Sequence, residues 1–570
     1  MAKAENIIPK RRSELLMPAG SLEKLKIAVL YGADAIYMGT PDMSLRTKSA
    51  FTLDEVVEGI EFAHAHDKRV YLTLNLFTHN KDIAKLPEYL DTVKKVKPDG
   101  LIIADPGVFQ FVKEHAPELE LHISTQANIC SWLSVNFWQR AGASLCVLGR
   151  EVIYAELKEI REKCDDIKLE AFVHGAMCMT YSGRCLLSNF MSERGANQGN
   201  CANSCRWSYK LHVRMKDGTT KDLEITENNQ DMFEFFLEEG YRPGEYMQLE
   251  EDDRGAYILN SRDLCLMPKL DDYLRIGIDS LKVEGRNKSA YYVGVVARAY
   301  RMAIDAYYAD PENWDPRPYM AELETVPNRG YTLAFHDGRL TDLSHGYDNT
   351  GSFSAFEFGG QITEITDDAF LVKVKNKIEA GDVLEFIPPS SHDLVLLRIY
   401  EFENATNGKI TDHVNAAPET IIRVPFSLFE HENITDLKTH FPPMTIVRKE
   451  KPMSAVQAQR LKLDKTVQNL ELGKGREATF KEGRKALQKA TDNDNEGKVF
   501  KSPRFGVEGC CGKGCNGCLV FWHAPEYTKA REVMKKKKQG EMLTKDMIEI
   551  LEDAKAPEYQ EAPQNIKEAS

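Results

Sequence analysis

Along about the first 310 residues, short apolar runs alternate with longer amphipathic stretches. Eight runs read as strands: Glu14–Met17, Ala35–Met38, Val70–Leu74, Gly100–Ala104, Leu121–Thr125, Ser144–Leu148, Lys168–Val173 and Ser280–Val283. The stretches between them carry apolar residues at helical spacing, and Ser21 and Thr52 stand where N-caps belong. Further helices are predicted near Leu264–Leu274 and over Tyr291–Tyr308. Such alternation predicts a (β/α)8 TIM-like barrel over residues 1–330. A doubly wound open sheet is the alternative, although nothing resembling GxGxxG follows the first strand. The alternation breaks over 175–260, where a cysteine-rich insertion follows strand 7.

From Gly351 to Arg448 the period changes to two, in GQITEI, AFLVKV, DVLEFI, VLLRIY, TIIRVP and MTIVRK. These runs predict a small antiparallel β-barrel domain over 351–450. A helical, Cys-rich C-terminal extension follows over 454–570, with 12 Lys/Arg against 7 Asp/Glu between Arg460 and Arg504. The Lys535–Lys538 run in its tail reads as a solvated helix face or as an RNA-backbone contact.

Composition narrows the class. With 570 residues, several domains are expected, and 42% hydrophobic with 28% charged residues is the balance of a globular chain. A net charge of −13 argues against indiscriminate coating of nucleic acid but leaves room for one basic face. No apolar run reaches the ~18 residues of a membrane span, and the N-terminus lacks the apolar core of a signal peptide. A reducing cytoplasm is therefore expected, where closely spaced cysteines favour metal or cluster binding over disulfides.

Barrel chemistry sits at the C-terminal ends of the strands. That rule gathers Asn75, Asp105, Gln126, Asn128, Arg150, Glu151, His174, Glu284 and Arg286 into one ring. Arg150 and Arg286 each stand beside an acidic residue. They read either as structural ion pairs or as planar forks for a carboxylate or phosphate. His174 and Glu284 are candidate general bases, and His174 reads equally as a satisfied core residue.

After strand 7 come Cys178, Cys185, Cys201 and Cys205, spaced C-x6-C-x15-C-x3-C. Four thiolates suit Zn²⁺ or an iron–sulfur cluster, and the spread spacing fits [4Fe–4S] better than paired zinc knuckles. A second metal or cluster site is expected at Cys510, Cys511, Cys515 and Cys518, in a glycine-rich stretch that can fold tightly around an ion. Cys130, Cys146 and Cys164 read as small apolar fillers, with Cys265 as an outside contributor.

The run EAFVHGAMCMTYSGRCLLS, Glu170 to Ser188, matches the pattern of the peptidase U32 family, with the collagenase-like peptidases among its members. The resemblance covers residues 14 to about 450. Within the family, NQGNCANSCRW, RPGEYM, ILNSRDL and SLKVEGRNKSAYY look most like the tRNA uridine 5-hydroxylases. That resemblance implies O₂-independent conversion of wobble uridine to 5-hydroxyuridine, with prephenate as hydroxyl donor. It also implies a [4Fe–4S] cluster on Cys178, Cys185, Cys201 and Cys205, some relatives using instead a cysteine placed like Cys265. On this reading the barrel mouth holds an anionic cosubstrate with some of Arg46, Arg150, Lys282 and Arg286, while the β-barrel and the basic extension grip tRNA. Asn75, Gln126 and Asn128 would help to bind substrate. Hydroxylation of ribosomal RNA or of a quinone precursor, U32-type proteolysis and a non-catalytic scaffold are the alternatives. Proteolysis finds little support in the residues, because HExxH and GxSxG are both missing from the sequence.

Overall fold

In this computed structural model the described residues are 12–39, 51–75, 78–178, 181, 235–238, 246–252, 255–257, 261–338, 340–346, 352–390, 393–417, 420–429, 434–495 and 529. The chain forms two compact units. The smaller contributes a three-stranded antiparallel sheet.

In chain order the strands are β1 (Glu14–Ala19), β2 (Ala35–Gly39), β3 (Arg69–Leu74), β4 (Gly100–Ile103), β5 (Glu120–Ile123), β6 (Leu145–Val147) and β7 (Lys168–Ala176). The smaller unit's sheet comprises β8 (Phe235–Glu238), β9 (Tyr246–Asp252) and β10 (Gly255–Tyr257), with β9 in the middle. Then follow β11 (Asp263–Cys265) and β12 (Ser280–Val283). Strands β1 to β7 pair in sequence, all parallel, and β12 pairs with both β1 and β7. Eight parallel strands therefore close into a barrel, which rules out the open doubly wound sheet.

Local chemistry explains the connections. Ser21, Ser131 and Ser289 each cap a helix through a side-chain oxygen, Thr52 closes a full capping box, and Asp105 caps the helix that Pro106 opens. Strand period two then sorts the side chains. Leu15, Met17, Ile36, Met38, Val70 and Leu72 join the large core beneath the helices. Their alternates Leu16, Ala35, Tyr37, Tyr71 and Ile102 form a separate cluster filling the barrel.

The Leu264–Leu274 region differs from its expected helix. It begins as β11, which runs antiparallel to the far end of β7, passes through a 3-10 turn at Met267–Lys269 and is α-helical from Leu270. Gly175 makes room for this: at φ +113 its backbone passes so close to β12 that a Cβ would lie 2.5 Å from the Glu284 carbonyl oxygen.

The predicted strands of 351–450 all form, but as an open eight-stranded antiparallel sheet rather than a closed barrel. Its edges are Val395–Arg398 and Ile410–Thr411, and no pairing among the described residues joins them. The helix Ile434–His440 and the turn Phe426–Leu428 instead cover the core of Phe370, Phe386, Phe402 and Phe441. This sheet docks on the barrel's helices. The buried Tyr31 hydroxyl donates to the Ile387 carbonyl and accepts from the Ile446 amide, each at 2.8 Å. Arg448 reaches Glu385 at 2.6 Å and Thr325 at 2.8 Å, and Arg298 donates to the Pro388 carbonyl. Two helices follow, Ala455–Glu471 and Glu477–Asn495.

Candidate active site

Inside the barrel, strand period two aims Glu170 and Phe172 of β7 at Ser280 and Lys282 of β12. Lys282 Nζ donates to Glu170 Oε1 at 2.6 Å, and Ser280 Oγ donates to Glu170 Oε2 at 2.9 Å. Both carboxylate oxygens are thus occupied, as a fully buried charge requires.

Lys282 forms the floor of the mouth. Its ammonium lies 4.5 Å from the centre of the Tyr37 ring and 5.6 Å from that of Phe172. The Arg286 guanidinium approaches the same Tyr37 ring at 5.8 Å, and Arg150 stacks on Phe172 at 3.6 Å. Three cations therefore converge on two aromatic faces. Arg150 also crosses the mouth to Glu284 at 3.2 Å, and Arg286 donates to the Thr73 hydroxyl at 3.1 Å. Arg150 thus forms an ion pair with the acid of another strand end, Glu284. Three cations gather here beside the Glu170 and Glu284 carboxylates, and the two arginine forks suit an anionic ligand.

Asn75 and Gln126 lie at the ends of β3 and β5. Asn75 Oδ1 and Gln126 Oε1 are buried without a hydrogen-bond partner among the described residues. An unpaired buried carbonyl oxygen is costly, so these two acceptors suit a ligand's N–H or O–H donors. Asn128 follows a short 3-10 turn and holds a left-handed conformation at φ 52. Asp105 is spent as a helix cap. Arg46 lies outside the described residues.

His174 is not in the mouth. Period two from Glu170 and Phe172 aims it inward, but the register against β12 shifts there: Lys282 faces Phe172, whereas Val283 faces His174. The extra residue, Val173, turns His174 out behind the wall. There its ring is surrounded by Tyr292, Tyr300 and Tyr331, with the Tyr300 hydroxyl 3.4 Å from Nδ1. Burial pushes its pKa down to about 3, so it stays neutral at physiological pH. This corrects its candidacy as a catalytic base.

Of the cysteines expected to hold metal, Cys178 is exposed just beyond β7. Cys185, Cys201, Cys205, Cys510, Cys511, Cys515 and Cys518 lie outside the described residues. Cys265 pairs across from His174 of β7. It is buried against Met320, and burial raises its thiol pKa to about 12.

Sequence reasoning did not single out Glu170, Ser280, Tyr37 or Phe172. The signal was there: Glu170 and Lys282 are charges in the middle of apolar strand runs, LEAFV and SLKV.

Fold and site define a TIM-type barrel with a cluster of cations and aromatic rings at the strand ends. Residues 20–345 match the family model described as Peptidase family U32, and the chain belongs to that family. It is 38% identical over 414 residues to tRNA hydroxylation protein P of Escherichia coli (strain K12), covering 69% of this chain and 90% of that protein. With tRNA hydroxylation protein P1 of Bacillus subtilis (strain 168) the identity is 37% over 383 residues, 66% of this chain and 84% of that one. A protein named collagenase from Porphyromonas gingivalis is 30% identical over 353 residues, 59% of this chain and 76% of that one.

Proposed function

We propose that this protein is a tRNA-modifying enzyme that hydroxylates its substrate at the mouth of the barrel. The observation that carries the reading is the 38% identity running over 90% of the Escherichia coli tRNA hydroxylation protein P. In finer form, the reaction converts wobble uridine to 5-hydroxyuridine without O₂, and prephenate supplies the hydroxyl group.

The mouth chemistry supports this reading. A small dicarboxylate matches the Arg150 and Arg286 forks above the Lys282 ammonium. The Asn75 and Gln126 oxygens can accept from its hydroxyl or from the imide N–H of an extruded uracil, since a base must leave its stack to be reached. Tyr37 and Phe172 offer apolar faces to a flat ring.

Four thiol ligands, Cys178, Cys185, Cys201 and Cys205, suit a [4Fe–4S] cluster, and the exposed Cys178 at the end of β7 is accessible to one. Bound there, a cluster supplies one-electron chemistry. Cys510, Cys511, Cys515 and Cys518 would hold a second metal or cluster.

The RNA grip belongs to the C-terminal helices rather than to the sheet. Residues 351–450 carry 16 Asp/Glu against 9 Lys/Arg, an excess that repels a polyanion. By contrast Lys462, Lys474, Arg476, Lys481, Lys485 and Lys489 are exposed on or between the two helices. A peptidase reading draws on the collagenase relative, but the candidate base His174 is buried among Tyr292, Tyr300 and Tyr331.

The test is nucleoside mass spectrometry of tRNA from cells with and without the gene. Loss of 5-hydroxyuridine or its derivatives is expected. Unchanged tRNA would refute the proposal and direct the search to ribosomal RNA and then to quinone precursors.

A further inference from the structure

Below Lys282 the barrel interior continues as a chain of polar groups toward its N-terminal end. Ser280 Oγ stands between two carboxylates, 2.9 Å from Glu170 Oε2 and 3.5 Å from Glu14 Oε1. A hydroxyl has one proton to donate and otherwise accepts. With Ser280 donating to Glu170, a proton on Glu14 Oε1 would let Glu14 donate to Ser280 in turn. At the upper end, Lys282 occupies the other Glu170 oxygen at 2.6 Å. At the lower end, Glu14 meets the Arg69 guanidinium, which is 42% exposed and opens this end to solvent.

We propose that Glu14, Ser280 and Glu170 form a proton path through the barrel interior that ends on Lys282 and recharges it as the proton donor of the mouth. The proposal rests on the reading of the mouth as the reaction chamber. Lys282 is the catalytic residue of this set, and the other three are positioning residues that act through it.

The proton balance closes. When Lys282 protonates a bound oxyanion, its N–H bond breaks and an O–H bond forms on the ligand. Ser280 passes its proton to Glu170 Oε2, the protonated carboxyl group turns about its Cγ–Cδ bond to carry that proton to the Lys282 side and gives it to the amine, while Ser280 takes the proton of Glu14. Water at the Arg69 end reloads Glu14. One proton has moved from solvent to ligand, every side chain is restored, and no electrons are transferred.

The surroundings suit Glu14 to this task. It is faced by Arg69 and the Tyr71 hydroxyl from β3, by Glu170 and Lys168 from β7, and by Asp34 ahead of β2. Burial is the largest influence and raises its carboxyl to about 7 against the opposing pull of Arg69. Glu14 thus gains and loses a proton near neutrality, as a relay's entry point must.

The test uses the full-length protein and Glu14→Gln, which keeps the side chain's shape but carries no exchangeable acid proton. Infrared difference spectra between about pH 5 and pH 9 should show a protonated-carboxyl band titrating near neutrality, present in the wild type and absent from the variant. The hydroxylation rate of the wild type should fall about tenfold per pH unit above neutrality. Glu14→Gln should be at least about tenfold slower and insensitive to pH there. Ser280→Ala should keep the band and lose the rate. Absence of the band overturns the proposal, as does a Glu14→Gln variant with the wild-type rate and pH profile. A wild type that shows the band but hydroxylates no RNA overturns the reading of the mouth, and with it the role of Lys282 as donor.

Discussion

Replacing Glu170 by alanine removes the partner of a buried cation without removing the cation. Glu170 is wholly buried, Lys282 is 6% exposed, and the two meet at 2.6 Å. Breaking such a pair from one side typically costs about 3–5 kcal/mol, because the remaining charge has lost both its counter-ion and water. Ser280 loses its acceptor in the same substitution. The double variant Glu170→Met with Lys282→Met removes both charges and fills the space with side chains of similar length. It should lie within about 1–2 kcal/mol of the wild type. Urea unfolding followed by far-ultraviolet circular dichroism reads both values, and a double-mutant cycle isolates the coupling. A Glu170→Ala loss below about 1 kcal/mol would refute the reasoning. So would a double variant as unstable as Glu170→Ala, since either result means that the pair is not a desolvated ion pair closing the barrel.

Four further outcomes follow from the same geometry. Tyr31→Phe leaves the Ile387 carbonyl and the Ile446 amide unpaired where the sheet docks, and should cost about 1–3 kcal/mol in denaturant unfolding. Gly175→Ala combines a positive φ with a Cβ 2.5 Å from the Glu284 carbonyl oxygen, so it should lose about 2 kcal/mol or more and lower the melting temperature. His174 has a folded pKa of about 3 against 6.5 in the unfolded chain, so below pH 6.5 the unfolded state takes up a proton that the folded state refuses. Stability should therefore fall with pH by up to ~1.4 kcal/mol per unit more steeply than in His174→Gln, as read by unfolding at stepped pH. Cys178→Ser should abolish the visible absorbance of anaerobically purified protein if this thiol holds a cluster.

The barrel was legible because its strands are short apolar runs separated by capped amphipathic helices, a pattern that local chemistry writes directly into the chain. Asn75, Gln126, Arg150, Glu284 and Arg286 were legible for the same reason, since a strand end is marked by the residue that follows the run. His174 was misread because a bulge has no signature in period two: VHG looks the same whether Val173 is paired or extra. Glu14 and Glu170 escaped notice because a carboxylate in a strand reads as a rim residue unless its partner is known. The partner of Glu170 lies 112 positions away on β12. Closure of the second sheet was equally hidden. Alternation fixes which face of a strand is buried, but it does not fix whether the edge strands meet.

The most direct measurement is hydroxylated uridine in tRNA from cells lacking the gene, complemented with wild type or with the allele carrying both Glu170→Met and Lys282→Met at matched soluble levels. The double variant keeps the fold while removing the floor of the mouth, so it separates chemistry from stability. The account predicts that the wild type restores 5-hydroxyuridine and its derivatives while the double variant leaves tRNA unmodified. Full restoration by the double variant would contradict it and place the reaction elsewhere in the chain.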